Sequence, residues 1–117
     1  MCGNSRWRRP LLVNIYLMQV GDSDIFKIGY TSNTPNDRIR VIRYYVPNIK
    51  LIDYVFCEFI VEKELHTLFN HKRVDFYGFT EYFKLNKRDL SKIKSIFKKV
   101  NKWQEDSPIQ KNGKNPL

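Results

Sequence analysis

A phenol at Tyr16, an ammonium at Lys27, a guanidinium at Arg38 and a carboxylate at Glu62 are the groups of this sequence best suited to phosphate chemistry. Hydrolysing a phosphodiester requires a water to lose its proton, an oxyanion to be neutralised and a leaving oxygen to be stabilised. Arg38 offers a permanently charged, planar donor for phosphate oxygens. Glu62 can hold one divalent ion, Mg²⁺ or Mn²⁺, because Mg²⁺ keeps most of its waters and takes few protein ligands. Tyr16 can orient the water or remove its proton. Lys27 can remove it only where burial or nearby cations favour the neutral amine.

Each of these residues has a plainer alternative. A Tyr in a strand usually packs, and a Lys in a short strand is usually a solvated edge charge. Arg38 can pair on the surface with Asp37 or Asp24, which is worth little. Glu62 and His66 lie four residues apart on one helical face and can simply brace each other. Glu81 can be an edge-strand charge.

The elements that would carry these groups follow from periodicity. Leu11–Val20 reads as a strand, Gly21-Asp22-Ser23-Asp24 as a turn and Ile25–Tyr30 as a second strand, together an antiparallel hairpin. Thr34 caps a helix whose first residue is Pro35 and whose apolar face is Ile39, Ile42 and Tyr45 or Val46; Pro47 closes it. Lys50–Phe59 is a third strand. A second helix spans 60–70, with Val61, Leu65, Leu68 and Phe69 on one face. Residues 71–80 read as a loop and 81–85 as a short edge strand. A last helix, capped by Asn86, buries Leu90, Ile93, Phe97 and Val100 and keeps Lys92, Lys94, Lys98, Lys99 and Lys102 wet. The expected fold is α+β: a small, mainly antiparallel three-stranded sheet with a short edge strand, flanked by helices. It occupies residues 11–103, between a basic arm (1–10) and a polar tail (104–117) expected to be disordered.

Composition narrows the partner. The 21 Lys and Arg against 12 Asp and Glu give a formal charge of +9, which favours polyanions. Arg6, Arg8 and Arg9 in the arm and Lys94, Lys98 and Lys99 on the last helix are the candidate DNA contacts. The alternatives are a mobile tail and a helix face kept soluble by lysines. No apolar run reaches membrane-spanning length, and neither a signal sequence nor a myristoylation motif is seen. The expected location is therefore cytoplasmic, with no membrane partner. Cys2 and Cys57 have no neighbours at zinc-site spacing, and Cys57 should be a buried thiol. No zinc finger, helix-turn-helix or aromatic RNA-binding motif is present.

The order of short motifs carries one resemblance. Ile15-Tyr16-Leu17, Lys27-Ile28-Gly29-Tyr30-Thr31, Arg38, Glu62-Lys63-Glu64-Leu65-His66 and Glu81-Tyr82-Phe83 follow one another along residues 13–97. This series resembles the GIY-YIG nuclease superfamily, in particular its compact phage-type branch with a KIG-x-T second motif and an E-x-x-L-H helix. The resemblance implies a metal-dependent endonuclease acting on DNA without an organic cofactor. It also implies catalytic roles for Tyr16, Lys27, Arg38 and His66, a metal ligand at Glu62, and additional site positions at Tyr30 and Glu81. The chain departs from the pattern at Asn14, where the first motif has Gly, at Lys27, where the second has Tyr, and at Ile42, where many relatives carry His. Those departures support a rival expectation, a DNA-binding module that keeps the fold without cutting. A third is a domain whose basic face meets an acidic protein.

Overall fold

The computed structural model describes residues 11–105. Four strands, β1 (Leu12–Val20), β2 (Ile25–Thr31), β3 (Ile49–Glu58) and β4 (Tyr82–Lys84), form one antiparallel sheet in the order β3-β1-β2-β4. Three helices complete the fold: α1 (Pro35–Ile42), α2 (Ile60–Leu68) and α3 (Lys87–Glu105). The expected α+β architecture is the observed one, with β4 as the short edge strand.

Alternation along the central strand β1 divides the molecule. Val13, Ile15 and Leu17 enter one core with Leu65 of α2 and Ile93 and Phe97 of α3. Tyr16 and Met18 enter a second core with Ile39 and Ile42 of α1. Side chains two apart share a face of a strand, so Tyr16 is sent to the α1 side. Its pairing partner there is Gly29 of β2.

The helix starts follow their sequence signals. Thr34 Oγ1 accepts a hydrogen bond from the Asp37 amide at 3.1 Å, and Pro35 opens α1. Asn86 and Asp89 cap reciprocally: the Asp89 amide donates to Asn86 Oδ1 and the Asn86 amide to Asp89 Oδ2, both at 2.9 Å. Lys72 Nζ holds the same Asp89 oxygen at 2.6 Å, tying the loop after α2 to the start of α3. At the far end of α1, the Arg43 guanidinium donates to the Ile49 carbonyl and fixes the entry to β3.

Several boundaries differ from the sequence expectation, and α1 ends at Ile42, ahead of Pro47. Helix α2 stops at Leu68 rather than 70, because the chain tightens into a 3₁₀ turn at Asn70–Lys72. Leu68 consequently faces outward while Leu65 and Phe69 stay buried. The loop 71–80 is partly ordered by backbone pairing, with bridges Arg73–Phe83 and Phe76–Phe79. Helix α3 continues to Glu105, past the expected start of the tail. The arm with Arg6, Arg8 and Arg9 lies outside the described residues, as does the tail beyond 105. Among the described residues, no helix is long and apolar enough to cross a membrane, and Cys57 is a buried thiol.

Candidate active site

Gly29 makes room for Tyr16. A Cβ on Gly29 would stand 2.6 Å from the Tyr16 hydroxyl oxygen and 2.8 Å from Cζ, closer than any side chain tolerates. The second motif therefore needs glycine so that the phenol of the first can lie against the strand. Tyr16 is fully buried, and its hydroxyl is hydrogen-bonded to Arg38 of α1. Burial pushes the Tyr16 pKa up to about 12, against the lowering effect of the Arg38 bond. At neutral pH this phenol is protonated, so it orients by hydrogen bonding rather than accepting a proton. Arg38 is not the idle surface charge of the plain alternative: Asp37 pairs with Arg40 instead, at 3.5 Å, and Asp24 approaches Lys84 at 3.9 Å.

Lys27 is no solvated edge charge either. The residue is buried, and its Nζ meets Glu81 Oε1 at 2.6 Å and lies 5.1 Å from the centre of the Tyr82 ring. The buried ammonium is held by a carboxylate and an aromatic face.

Glu62 is buried at the start of α2. Burial raises its carboxyl above the ordinary range. His66 and Lys27 pull it down, and the neighbouring Glu81 charge pushes it further up. These influences put Glu62, His66, Lys27 and Glu81 in one neighbourhood although they come from α2, β2 and the approach to β4. The same carboxylate, Glu81, also acts on Tyr16.

His66 contacts Glu62 Oε2 at 3.2 Å through Nε2, and the same nitrogen lies 2.7 Å from the Ile28 carbonyl. A carbonyl only accepts, so Nε2 carries the proton and donates to β2. The ring also packs edge-on against Phe83, with centroids 5.1 Å apart. The Ile28 amide donates to the Glu81 carbonyl at 3.1 Å, just past the end of β4. His66 thus continues along β2 the pairing that β4 begins. Its geometry is that of a clip between α2 and the sheet as well as a partner of Glu62.

A cavity of about 210 Å³ opens over this region, lined by Lys27, Arg38, Val41, Ile42, Tyr45, Phe79, Thr80, Glu81 and Tyr82. Tyr16 and Glu62 stand outside that lining. Tyr30 is on the opposite face of the sheet, paired with Ile15, and packs against Phe59 with centroids 4.6 Å apart. Lys94 and Lys98 line a different groove of about 730 Å³, with Asp53, Tyr54, Val55 and Phe56 of β3. β3 and β4 are opposite edges of the sheet, so these lysines, with the exposed Lys99, are not gathered at the Tyr16 site.

Glu62 and Glu81 are the residues that could hold a hard cation, one that keeps most of its water. Among the described residues, no cluster of three or more His, Cys, Asp or Glu could form an all-protein cage. What exists instead is a pair of carboxylates, Glu62 and Glu81, close enough for the charge of one to disfavour the charge of the other. A divalent ion relieves that repulsion and needs few protein ligands.

Sequence reasoning missed the aromatic half of the cavity. Of the two residues that periodicity offers for the last place on the apolar face of α1, Val46 is buried, whereas Tyr45 is largely exposed. Phe79 falls in a segment that reads as plain loop. Only the density of rings between 76 and 83 hints at more.

The sheet and its helices make a small α+β domain, and the family it matches is one of nuclease-like or DNA-binding domains. The T5orf172 domain model matches residues 13–101, and the chain belongs to that family. The domain is phage-associated and resembles the GIY-YIG fold but is not the GIY-YIG family itself. The resemblance drawn from the motifs is narrowed accordingly: the family is T5orf172, and the likeness to GIY-YIG is one of fold. No curated protein and no solved structure matches the chain.

Proposed function

We propose that the chain is a divalent-metal-dependent endonuclease that hydrolyses DNA phosphodiester bonds. The observation that supports this reading is the chain of interactions centred on Glu81, which pairs with Lys27 and acts on both Glu62 and the Arg38-bonded Tyr16. Arg38 binds the phosphate through its planar guanidinium and keeps the Tyr16 hydroxyl oriented. Tyr16, protonated and buried, acts through the Arg38 guanidinium that it holds. The Lys27 ammonium neutralises charge developing on the phosphate oxygens. Glu81, the one carboxylate in the cavity lining, is the candidate acceptor for the proton of the attacking water, through the oxygen that Lys27 leaves free. Glu62, with Glu81 beside it, would hold Mg²⁺ or Mn²⁺. When bound, that ion supplies Lewis-acid stabilisation of the phosphate and the leaving oxygen. His66 steadies Glu62 and ties it to β2.

The test is nicking of supercoiled plasmid with and without Mg²⁺, by wild type, Arg38→Ala and Glu62→Gln. Wild type should nick only with the ion, and both variants should lose most of that activity. Full nicking by well-folded Glu62→Gln would remove Glu62 from the site.

One observation favours a second reading, DNA binding without cleavage. Ile42, at the position where the resemblance places a His, is a buried core residue packed with Ile39. On this reading DNA is bound, with no nicking under any divalent ion.

A further inference from the structure

Beside Arg38 and Lys27 the cavity carries aromatic rings that the phosphate chemistry does not use. Tyr45 is 66% exposed and Phe79 39% exposed, and their centroids lie 5.7 Å apart at 64°. Phe79 in turn lies 6.1 Å from Tyr82, the ring beneath the Lys27 ammonium. A run of rings therefore leads from the buried charge to the mouth of the cavity.

A strained turn presents the outer part of this run. Between Phe76 and Phe79, which share a 3.0 Å backbone hydrogen bond, Tyr77 has φ 52° and Gly78 φ 81°. Such turns normally take Asn, Asp or Gly at the first position, and a Tyr there costs about 1 kcal/mol or more. The Asp75 carboxylate braces the turn by accepting from the Gly78 amide at 3.1 Å. Strain is kept while rings stay in water next to two cations. Neither packing nor solubility asks for that arrangement.

We propose that Tyr45 and Phe79 form a stacking subsite for one nucleobase lying outside its helical stack. The protein then selects DNA carrying an unpaired nucleotide next to the phosphate that Arg38 engages. This rests on the reading that Arg38 and Lys27 meet a phosphate. A base inside a duplex offers only its edges to a protein. Its flat faces become available when it is unpaired, and they stack on aromatic side chains with little regard to sequence. A cavity lined by the buried Lys27, the exposed Arg38 guanidinium and two exposed rings matches a nucleotide with its phosphate on the cations and its base on the rings.

Equilibrium binding in the presence of EDTA tests this without any cleavage. The probes are a matched duplex and the same duplex with a single-nucleotide bulge bearing 2-aminopurine. Wild type should bind the bulged duplex about tenfold more tightly, the order of one stacked base, and should quench the 2-aminopurine. Tyr45→Ala and Phe79→Ala should each reduce the ratio of the two affinities towards one, and Tyr45→Phe should keep it. Equal affinity of wild type for the two duplexes, or an unquenched probe in the bound state, overturns the subsite without reliance on any variant. Survival of the full ratio in both folded alanine variants also overturns it. The two ideas fail separately. Metal-dependent nicking with no bulge preference ends this proposal alone, whereas bulge preference with no nicking ends only the nuclease reading.

Discussion

The Tyr16 hydroxyl and the α-carbon of Gly29, cross-strand partners in β1 and β2, are so close that a Cβ on Gly29 would stand 2.6 Å from that oxygen. The phenol owes its place against the strand, and hence its bond to Arg38, to a missing methyl group. Gly29→Ala should therefore cost about 1–3 kcal/mol in stability, the range for overpacking a filled interior. It should also displace Tyr16 from Arg38 and reduce nicking. Urea unfolding and plasmid nicking read the two effects, and a variant as stable and active as wild type would contradict the packing argument.

Glu62→Gln separates chemistry from bracing. The change keeps volume and helix but removes the charge that would hold the ion. DNA affinity should stay equal or tighten, since a carboxylate near the phosphates is removed, while metal-dependent nicking should disappear. Arg38→Ala should weaken binding as well as cleavage, because its charge meets phosphate in both ground and transition states.

The same substitution has a pH signature. In the fold, burial first of all raises the Glu62 carboxyl above its ordinary value of 4.5. A group raised in this way contributes stability that is complete below the unfolded value and lost as pH rises through the folded one. Wild type loses that contribution between acidic and neutral pH, whereas the Gln variant has none to lose. The stability of Glu62→Gln relative to wild type should increase from about pH 4 to about pH 7. Urea midpoints at the two pH values check this, and a difference that does not change with pH would speak against the buried carboxylate.

His66→Ala should cost about 1–3 kcal/mol, because it leaves the Ile28 carbonyl and the Glu62 carboxylate without their donor. Glu62→Gln, which retains the contact to Ile28, should cost less. Melting temperatures of the two variants rank them, and the reverse order would mean that the clip contributes little.

Salt exposes the lysines. DNA affinity should fall steeply as salt rises, and neutralising Lys94, Lys98 and Lys99 together should flatten the dependence by about 0.9 in logarithmic slope for each phosphate that these lysines neutralise. Because Lys94 and Lys98 border the β3 groove rather than the Tyr16 cavity, cleavage at saturating protein should persist. An unchanged slope would give that groove another purpose.

How much of the molecule is legible in its sequence depends on the range of the physics involved. Local signals are accurate: Thr34 and Asn86 cap where their types suggest, and the stripe Ile93–Phe97 is buried. The order of motifs selects residues that are linked in the fold, Tyr16 to Arg38 and Lys27 to Glu62, both pairs within the influence of Glu81. Partners are not legible, since they depend on sheet order. The plainer alternative of a solvated Lys27 fails because β4, only three residues long, covers that part of β2 and brings Glu81 to within 2.6 Å. Leu68 fits the helical period but emerges on the surface because the 3₁₀ turn begins just after it. The rings of Tyr45 and Phe79 meet across a long stretch of chain, and no periodicity in either segment marks their contact.

The shortness of β4 has a consequence beyond the site. Past Tyr82, the rim of β2 would present bare backbone groups, and a bare rim recruits strands from other molecules. At Ile28 the amide is taken by the Glu81 carbonyl and the carbonyl by the His66 ring, so an imidazole stands where a foreign strand would otherwise bind. Loss of His66 should therefore show itself as self-association during concentration, in protein whose helices and core remain intact.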